Sequence, residues 1–254
     1  MPDQVPGAAL VTGAARRIGR AIALTLHQAG YAVAIQANRS AAEAERLRGE
    51  IARGGGRAAV VQADLSDQMA VAALVPAAVD AIGPLTLLVN NAATFEPDAI
   101  GSLDRERFDR QFAVNLRAPL FLSEAFAAQA PKSANASIVN ILDQRVFRLT
   151  PHFLSYTLAK SALHAATSML AQALAPGVRV NAVAPGPTMP SARQQQQDFA
   201  RQAAAVPLGH GPSADEIAAA VIYLAQARSV TGVTLAVDGG QHLAWQTPDT
   251  GVAE

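Results

Sequence analysis

The sequence predicts an α/β fold: a single-domain, doubly wound parallel sheet of about seven strands with helices on both faces, spanning residues 1–254. Three observations carry this. Short apolar runs alternate with helical patterns of about 10 to 15 residues, the mark of repeated βα units. Glycine and proline punctuate the junctions between them. Candidate site residues lie just past the strands, at Gly13, Arg39, Asp64, Asn91, Asp143 and Pro185. Parallel sheets bind ligands in the crevice beyond the carboxyl ends of their strands.

In chain order, Ala8 to Thr12 reads as a buried strand ended by Gly13, and Arg20 to Ala29 as a helix closed by Gly30. Tyr31 to Gln36 is a second strand. Ala41 to Arg53 is a polar-faced helix stopped by Gly54, Gly55 and Gly56. A third strand, Arg57 to Ala63, leads through Asp64-Leu65-Ser66 to a helix from Asp67 to Ile82, ended by Gly83-Pro84. Strand four, Leu85 to Val89, carries Asn90-Asn91 at its end. Leu103 to Asn115 and Ala118 to Gln129 read as two separate helices. Strand five, Ala136 to Leu142, precedes a long helix expected to start near Pro151 with Thr150 as its cap. Strand six, Val178 to Val183, is followed by a Pro/Gly-rich loop from Pro185 to Pro190. Helices at Asp198 to Ala205 and Ser213 to Gln226, a last strand at Thr234 to Val237, and a polar tail from Gln241 complete the chain.

Composition excludes several classes of function. Half the residues are apolar and 16% are charged, a globular balance. The formal net charge of zero leaves no electrostatic footprint for nucleic acid or an anionic membrane. Cysteine is absent, which removes disulfide and thiolate chemistry and is compatible with a cytoplasmic setting. The opening Met1-Pro-Asp-Gln-Val-Pro-Gly7 has neither a basic start nor an apolar core of a signal peptide, and no run of 18 apolar residues is present. His152, His164 and His210 show no metal-ligand spacing, so no metal is expected.

Tyr156 and Lys160 fall four apart on one helix face, in a chain with three tyrosines and only two lysines. An ammonium beside a phenol favours the phenolate, so Lys160 is expected to lower the Tyr156 pKa and make it a proton donor and acceptor near neutrality. At the other end, Thr12-Gly-Ala-Ala-Arg-Arg-Ile-Gly19 joins strand one to helix one. Gly13 can turn tightly and Gly19 permits close helix approach, so backbone N–H groups and the helix dipole can hold a pyrophosphate. No acid occurs from Tyr31 to Ala42, where NAD enzymes bind the ribose 2′-hydroxyl; Arg39 with Ser40 is there instead, and Arg16 and Arg17 precede it. Arginine grips a 2′-phosphate bidentately, which favours NADPH over NADH.

With these residues in view, essentially the whole chain resembles the short-chain dehydrogenase/reductase family. The resemblance rests on the 12–19 turn, Asp64-Leu65, Asn90-Asn91-Ala92, Val114-Asn115, Tyr156 to Lys160, Pro185-Gly186 and Asp238-Gly239-Gly240. It implies an NADP-binding domain with Tyr156 as acid/base, Lys160 on the nicotinamide ribose and Asn115 holding a relay water. Cofactor contacts are expected from Gly13, Arg16, Arg17, Ile18, Gly19, Asn38, Arg39, Ser40, Asp64, Leu65, Asn91, Ala92, Tyr156, Lys160, Pro185, Gly186 and Thr188.

Two departures resemble the pteridine reductase branch, dihydromonapterin reductases included: Arg17 where the family has glycine, and Asp143 where it has a catalytic serine. A serine hydroxyl donates to a carbonyl, whereas an ionised carboxylate only accepts and suits the N–H groups of a pterin. The resemblance therefore implies reduction of a dihydropterin, dihydromonapterin or dihydrofolate, with Asp143 joining Tyr156, Lys160 and Asn115 in catalysis. Arg17, Phe95, Asp143 and Tyr156 would contact the substrate. Phe95 is read equally as packing or as a stacking platform, and Asp143 also as a cap for the segment after it. Two other functions stay open: reduction of another carbonyl or imine, and a non-catalytic NADP-binding regulator. A homotetramer built partly on the Tyr156 helix, a small-molecule substrate, and no nucleic-acid or membrane partner complete the expectation.

Overall fold

The structure, a computed structural model, describes residues 7–132, 135–191 and 193–245. The N-terminal Met1 to Pro6 and the tail beyond Trp245 lie outside the described residues. Seven strands form one sheet: β1 (Ala8–Val11), β2 (Ala32–Ala37), β3 (Ala58–Gln62), β4 (Leu85–Asn90), β5 (Ala136–Ile141), β6 (Val178–Pro185) and β7 (Thr234–Val237). Their order is β3-β2-β1-β4-β5-β6-β7, and every pairing is parallel. The order reverses between β1 and β4, which opens a crevice at their carboxyl ends.

Side chains alternate across the strands, and each face is sealed by helices. Ala9, Val11, Val33, Ile35 and Val89 face α1 (Arg17–Gln28), α2 (Ala41–Arg53) and α8 (Ala214–Gln226), which contribute Ile22, Leu26, Leu47, Ile51, Val221 and Leu224. Leu10, Ala34, Leu88, Ile138 and Val180 face α3 (Gln68–Ile82), α5 (Ala118–Gln129) and α6 (Leu154–Leu174), through Leu74, Val75, Leu122, Phe126 and Ala171. The two remaining helices, α4 (Arg105–Phe112) and α7 (Gln196–Ala204), lie in the connections after β4 and β6. Burial on both faces explains why the inner strands are continuous apolar runs rather than alternating ones.

Two helices begin with side-chain caps at the first residue of their expected range. Asp67 accepts from the N–H groups of Met69 and Ala70 at 2.7 and 3.2 Å. Ser213 and Glu216 form a reciprocal capping box at the start of α8.

Two expectations are corrected. The helices either side of residue 116 are not separate: a wide turn, Ala113–Arg117, joins α4 to α5. Pro119 has no N–H to give, and its ring would crowd the Asn115 carbonyl in a regular helix, so a widened turn accommodates it. The Tyr156 helix begins at Leu154, not at Thr150 or Pro151. A short turn, Gln144–Val146, intervenes, and Phe153 precedes the helix in a left-handed conformation, φ 56° and ψ 47°, with no cap from its own side chain. Among the described residues, no helix is long and apolar enough to cross a membrane.

Candidate active site

The carboxyl ends of the strands open into a cleft of about 580 Å³. Its floor is the turn from β1 to α1. Gly13 adopts φ 62°, and a Cβ there would lie 2.9 Å from the Ala92 Cα. A Cβ on Gly19 would press into the Gly13 carbonyl oxygen. Only glycine fits either position. Arg17 holds φ 55°, a left-handed backbone that explains why glycine is the usual occupant of this position in the resembled family. α1 starts here without a side-chain cap, which leaves the N–H groups of its first turn available to an anionic ligand.

Thr12 ties this turn to β4. Its hydroxyl oxygen accepts from the N–H groups of Asn91 and Ala92 at 2.9 and 3.0 Å, and the Asn91 amide donates to the Thr12 carbonyl at 2.8 Å. Gln36, which no local pattern in the sequence marks, is a second tie. Its buried amide accepts from Gly13 N–H and donates to the Ala63 carbonyl, both at 2.8 Å. Arg16, Ile18, Asn38, Arg39, Ser40, Asp64, Leu65, Pro185, Gly186 and Thr188 all line the same cleft. Asp64 accepts from the Ser66 hydroxyl and N–H at 2.7 and 2.9 Å, which holds its carboxyl below the usual carboxylate range. Gly186 lies against the Asp238 backbone, where a Cβ would approach the Asp238 Cα to 2.6 Å. That contact gives the Asp238-Gly239-Gly240 motif a packing role. Arg110, from α4, also reaches the cleft wall and had no signal in sequence beyond its charge.

Asp143, Tyr156 and Lys160 meet at the inner end of the cleft. Tyr156 donates to Asp143 Oδ2 at 3.1 Å. Lys160, 2% exposed, donates to the Ile141 carbonyl at 2.6 Å, with its Nζ 5.9 Å from the Tyr156 ring centre. Asp143 Oδ1 accepts from the Arg145 N–H at 2.9 Å, and the Arg145 guanidinium lies 3.5 Å from Oδ2. Asp143 thus caps the turn after β5 and contacts the tyrosine at once; the two readings of this residue are compatible.

The electrostatics correct the expectation for Tyr156. Its pKa is raised well above the usual value, chiefly by burial, then by the Asp143 charge and the hydrogen bond to it, with Arg145 pulling the other way. Lys160 is itself pushed down to about 8 by burial, against the opposing pull of Asp143. A carboxylate at hydrogen-bond distance outweighs an ammonium that is turned onto a backbone carbonyl. In this state Tyr156 is an acid that keeps its proton.

Three expected site residues behave differently from the rest. Asn115 is fully buried and does not line the cleft. Its amide donates to the Thr94 carbonyl and the Gln111 side chain at 3.0 and 3.1 Å, and its oxygen accepts from Thr94 N–H at 3.1 Å. Arg17 does line the cleft but donates to the Pro190 and Met189 carbonyls at 2.7 and 3.1 Å, tying the loop after β6 to the glycine turn. Phe95 lines the cleft beside Tyr156, their ring centres 4.7 Å apart edge to face. Its other neighbour is Phe153, stacked at 4.2 Å. Phe153 was not anticipated. Trp245 is 68% exposed within this chain. Among the described residues, no cluster of His, Cys, Asp or Glu could hold a metal ion.

The chain is similar to known proteins over most of its length. A family profile described as enoyl-(acyl carrier protein) reductase matches residues 13–242. The crystal structure of FolM alternative dihydrofolate reductase 1 from Brucella canis, complexed with NADP, is 51% identical, with a TM-score of 0.94 over 96% of this chain and 97% of that one. Pteridine reductase 1 of Leishmania tarentolae is 35% identical over 92% of this chain and 96% of its own length. An uncharacterized oxidoreductase of Methylorubrum extorquens is 37% identical over 91% and 96%.

Proposed function

Because the chain belongs to the short-chain dehydrogenase/reductase family, we propose that it is an NADPH-dependent reductase of a pteridine such as a dihydropterin, dihydromonapterin or dihydrofolate. The observation that carries the pteridine reading is the 3.1 Å contact between Tyr156 and Asp143. A carboxylate in the serine's place accepts hydrogen bonds from ring and exocyclic N–H groups and gives none to a ketone oxygen. The FolM and pteridine reductase relatives support the same class.

The cleft fits the cofactor. Gly13, Gly19 and Gly186 leave no room for side chains where backbone closes on backbone, and the uncapped start of α1 suits a pyrophosphate. With no acid between residues 31 and 42, Arg39 and Ser40 meet the 2′-phosphate. Lys160 faces the nicotinamide ribose. Bound NADPH supplies the hydride to a ring carbon. Tyr156, its phenol kept protonated, delivers the proton to the adjacent nitrogen, and Asp143 orients the heterocycle while Phe95 flanks it. Asn115 holds the loop from Thr94 by its amide and so keeps Phe95 in place. The homotetramer implied by the family is proposed on the same footing, with Phe121 and Leu158, exposed on α5 and α6, as interface positions.

The test follows NADPH absorbance with a panel of dihydropterins and a panel of ketones and aldehydes. Turnover confined to dihydropterins is the expected result. Turnover of carbonyl substrates alone would remove the pteridine reading and leave a general carbonyl reductase.

A further inference from the structure

We propose that Asp98 is a positioning residue: a buried carboxylate that caps the Tyr156 helix from outside and locks the proton donor to the loop that carries Phe95. The inference rests on the reductase reading for its consequence, but not on which substrate is reduced.

α6 lacks a cap of its own. Phe153, at the cap position, is left-handed and offers no side-chain acceptor. Asp98 lies 57 positions before Ser155, in the loop after β4, and is 6% exposed. Its Oδ1 and Oδ2 lie 3.1 and 3.3 Å from the Ser155 N–H, and Oδ2 also accepts from the Ser155 hydroxyl. Its backbone carbonyl accepts from Leu154 N–H at 3.3 Å. One residue thus takes up the first two N–H groups of the helix, and Tyr156 is the next residue along. An anion at a helix start is favoured by the helix dipole as well as by these bonds.

The same contact fixes the aromatic wall. Phe95 is three residues before Asp98, and its ring stacks on Phe153, one residue before the helix. Left-handed backbone at a phenylalanine persists only where its surroundings hold it. Asp98 on one side and the Phe95 ring on the other supply that hold. Without Asp98, Phe153 is free to relax, the first turn of α6 frays, and both Tyr156 and Phe95 lose their setting. Ser155, whose hydroxyl is committed to Asp98, is then a structural partner and not a substitute for the missing catalytic serine.

The experiment compares Asp98→Ala, Asp98→Asn and Ser155→Ala with wild type, as full-length protein, measuring NADPH affinity, kcat and KM for whichever substrate the panel identifies. Asp98→Ala is expected to lower kcat roughly 10- to 100-fold, the cost of misplacing a reacting group by about 1 Å, with NADPH affinity within about threefold. Asp98→Asn keeps an acceptor for the N–H groups and restores most of kcat; Ser155→Ala falls between. If Asp98→Ala does not fold, the other two carry the same test. A kcat within about twofold of wild type in every folded variant, with only the melting temperature lowered, would overturn the proposal. Should no substrate be turned over at all, ultraviolet titration of Tyr156 decides it. The groups facing the phenol are Asp143, Arg145 and Lys160, and fraying admits water beside them. Loss of Asp98 then lowers the Tyr156 titration point, and an unaltered titration rejects the role.

Discussion

The cofactor end and the substrate end of the cleft are built by different means. At the cofactor end, short segments attached directly to strands do the work: the 12–19 turn, Asn91, Pro185 and Gly186. Their positions follow from sheet register, from glycines that admit backbone contact, and from short side-chain ties of Thr12, Gln36 and Asn91 beside the strands. At the substrate end, the loops after β4 and β6 and the start of α6, distant in sequence, hold one another through side chains, and Arg17 ties the glycine turn to them. Asp98 reaches Ser155, Arg17 reaches Met189 and Pro190, and Arg193 reaches the Phe95 carbonyl and, at 3.2 Å, Glu96. A sheet edge is rigid because many ladder bonds share its load, whereas a few side-chain ties can be remade when a ligand enters. On the proposed reading, the first end is the more rigid of the two.

That contrast predicts separable phenotypes. Tyr156→Phe should lower the reduction rate about 1,000-fold, within the range of a lost general acid, while NADPH affinity in a fluorescence titration stays within about twofold. Parallel losses in both would join the two ends and break the comparison. Asp143→Ala should cost about 100-fold in rate and again spare cofactor affinity; an unchanged rate would leave Asp143 a cap for its turn and nothing more.

Lys160 sharpens the contrast through stability. Folded, it releases its proton near pH 8, and unfolded near 10.5. Between these values the unfolded chain holds more protons, so stability rises with pH, by about 2 kcal/mol from pH 8 to 10. Denaturant melts should show this gain in wild type and not in Lys160→Met. Equal pH profiles would mean that the ammonium is solvated. Arg39→Ala should weaken NADPH about tenfold and NADH far less, the value of a charged hydrogen bond. Equal losses would place Arg39 away from the 2′-phosphate.

The same contrast decides what was legible in sequence. The strands, the glycine turn and the Tyr156–Lys160 pair are local patterns, and each appears within a few residues of its expected place. Asp98 left no local trace, because its partner is 57 positions away and a loop aspartate is ordinarily solvated. Phe153 gave none either, since nothing in a phenylalanine announces a left-handed turn. The sign of the Tyr156 shift is hidden from sequence for a related reason. Helical spacing places Lys160 near the ring, but only the fold shows its ammonium turned to Ile141 and the phenol turned to Asp143.

Ultraviolet difference titration of wild type against Tyr156→Phe, without cofactor, tests most directly whether Tyr156 rests as a protonated acid held by Asp143. The structure predicts no phenolate signal from Tyr156 through the neutral range and onset only above the ordinary tyrosine value of 10. A phenolate signal from Tyr156 near neutral pH would contradict it and restore Lys160 as the dominant neighbour.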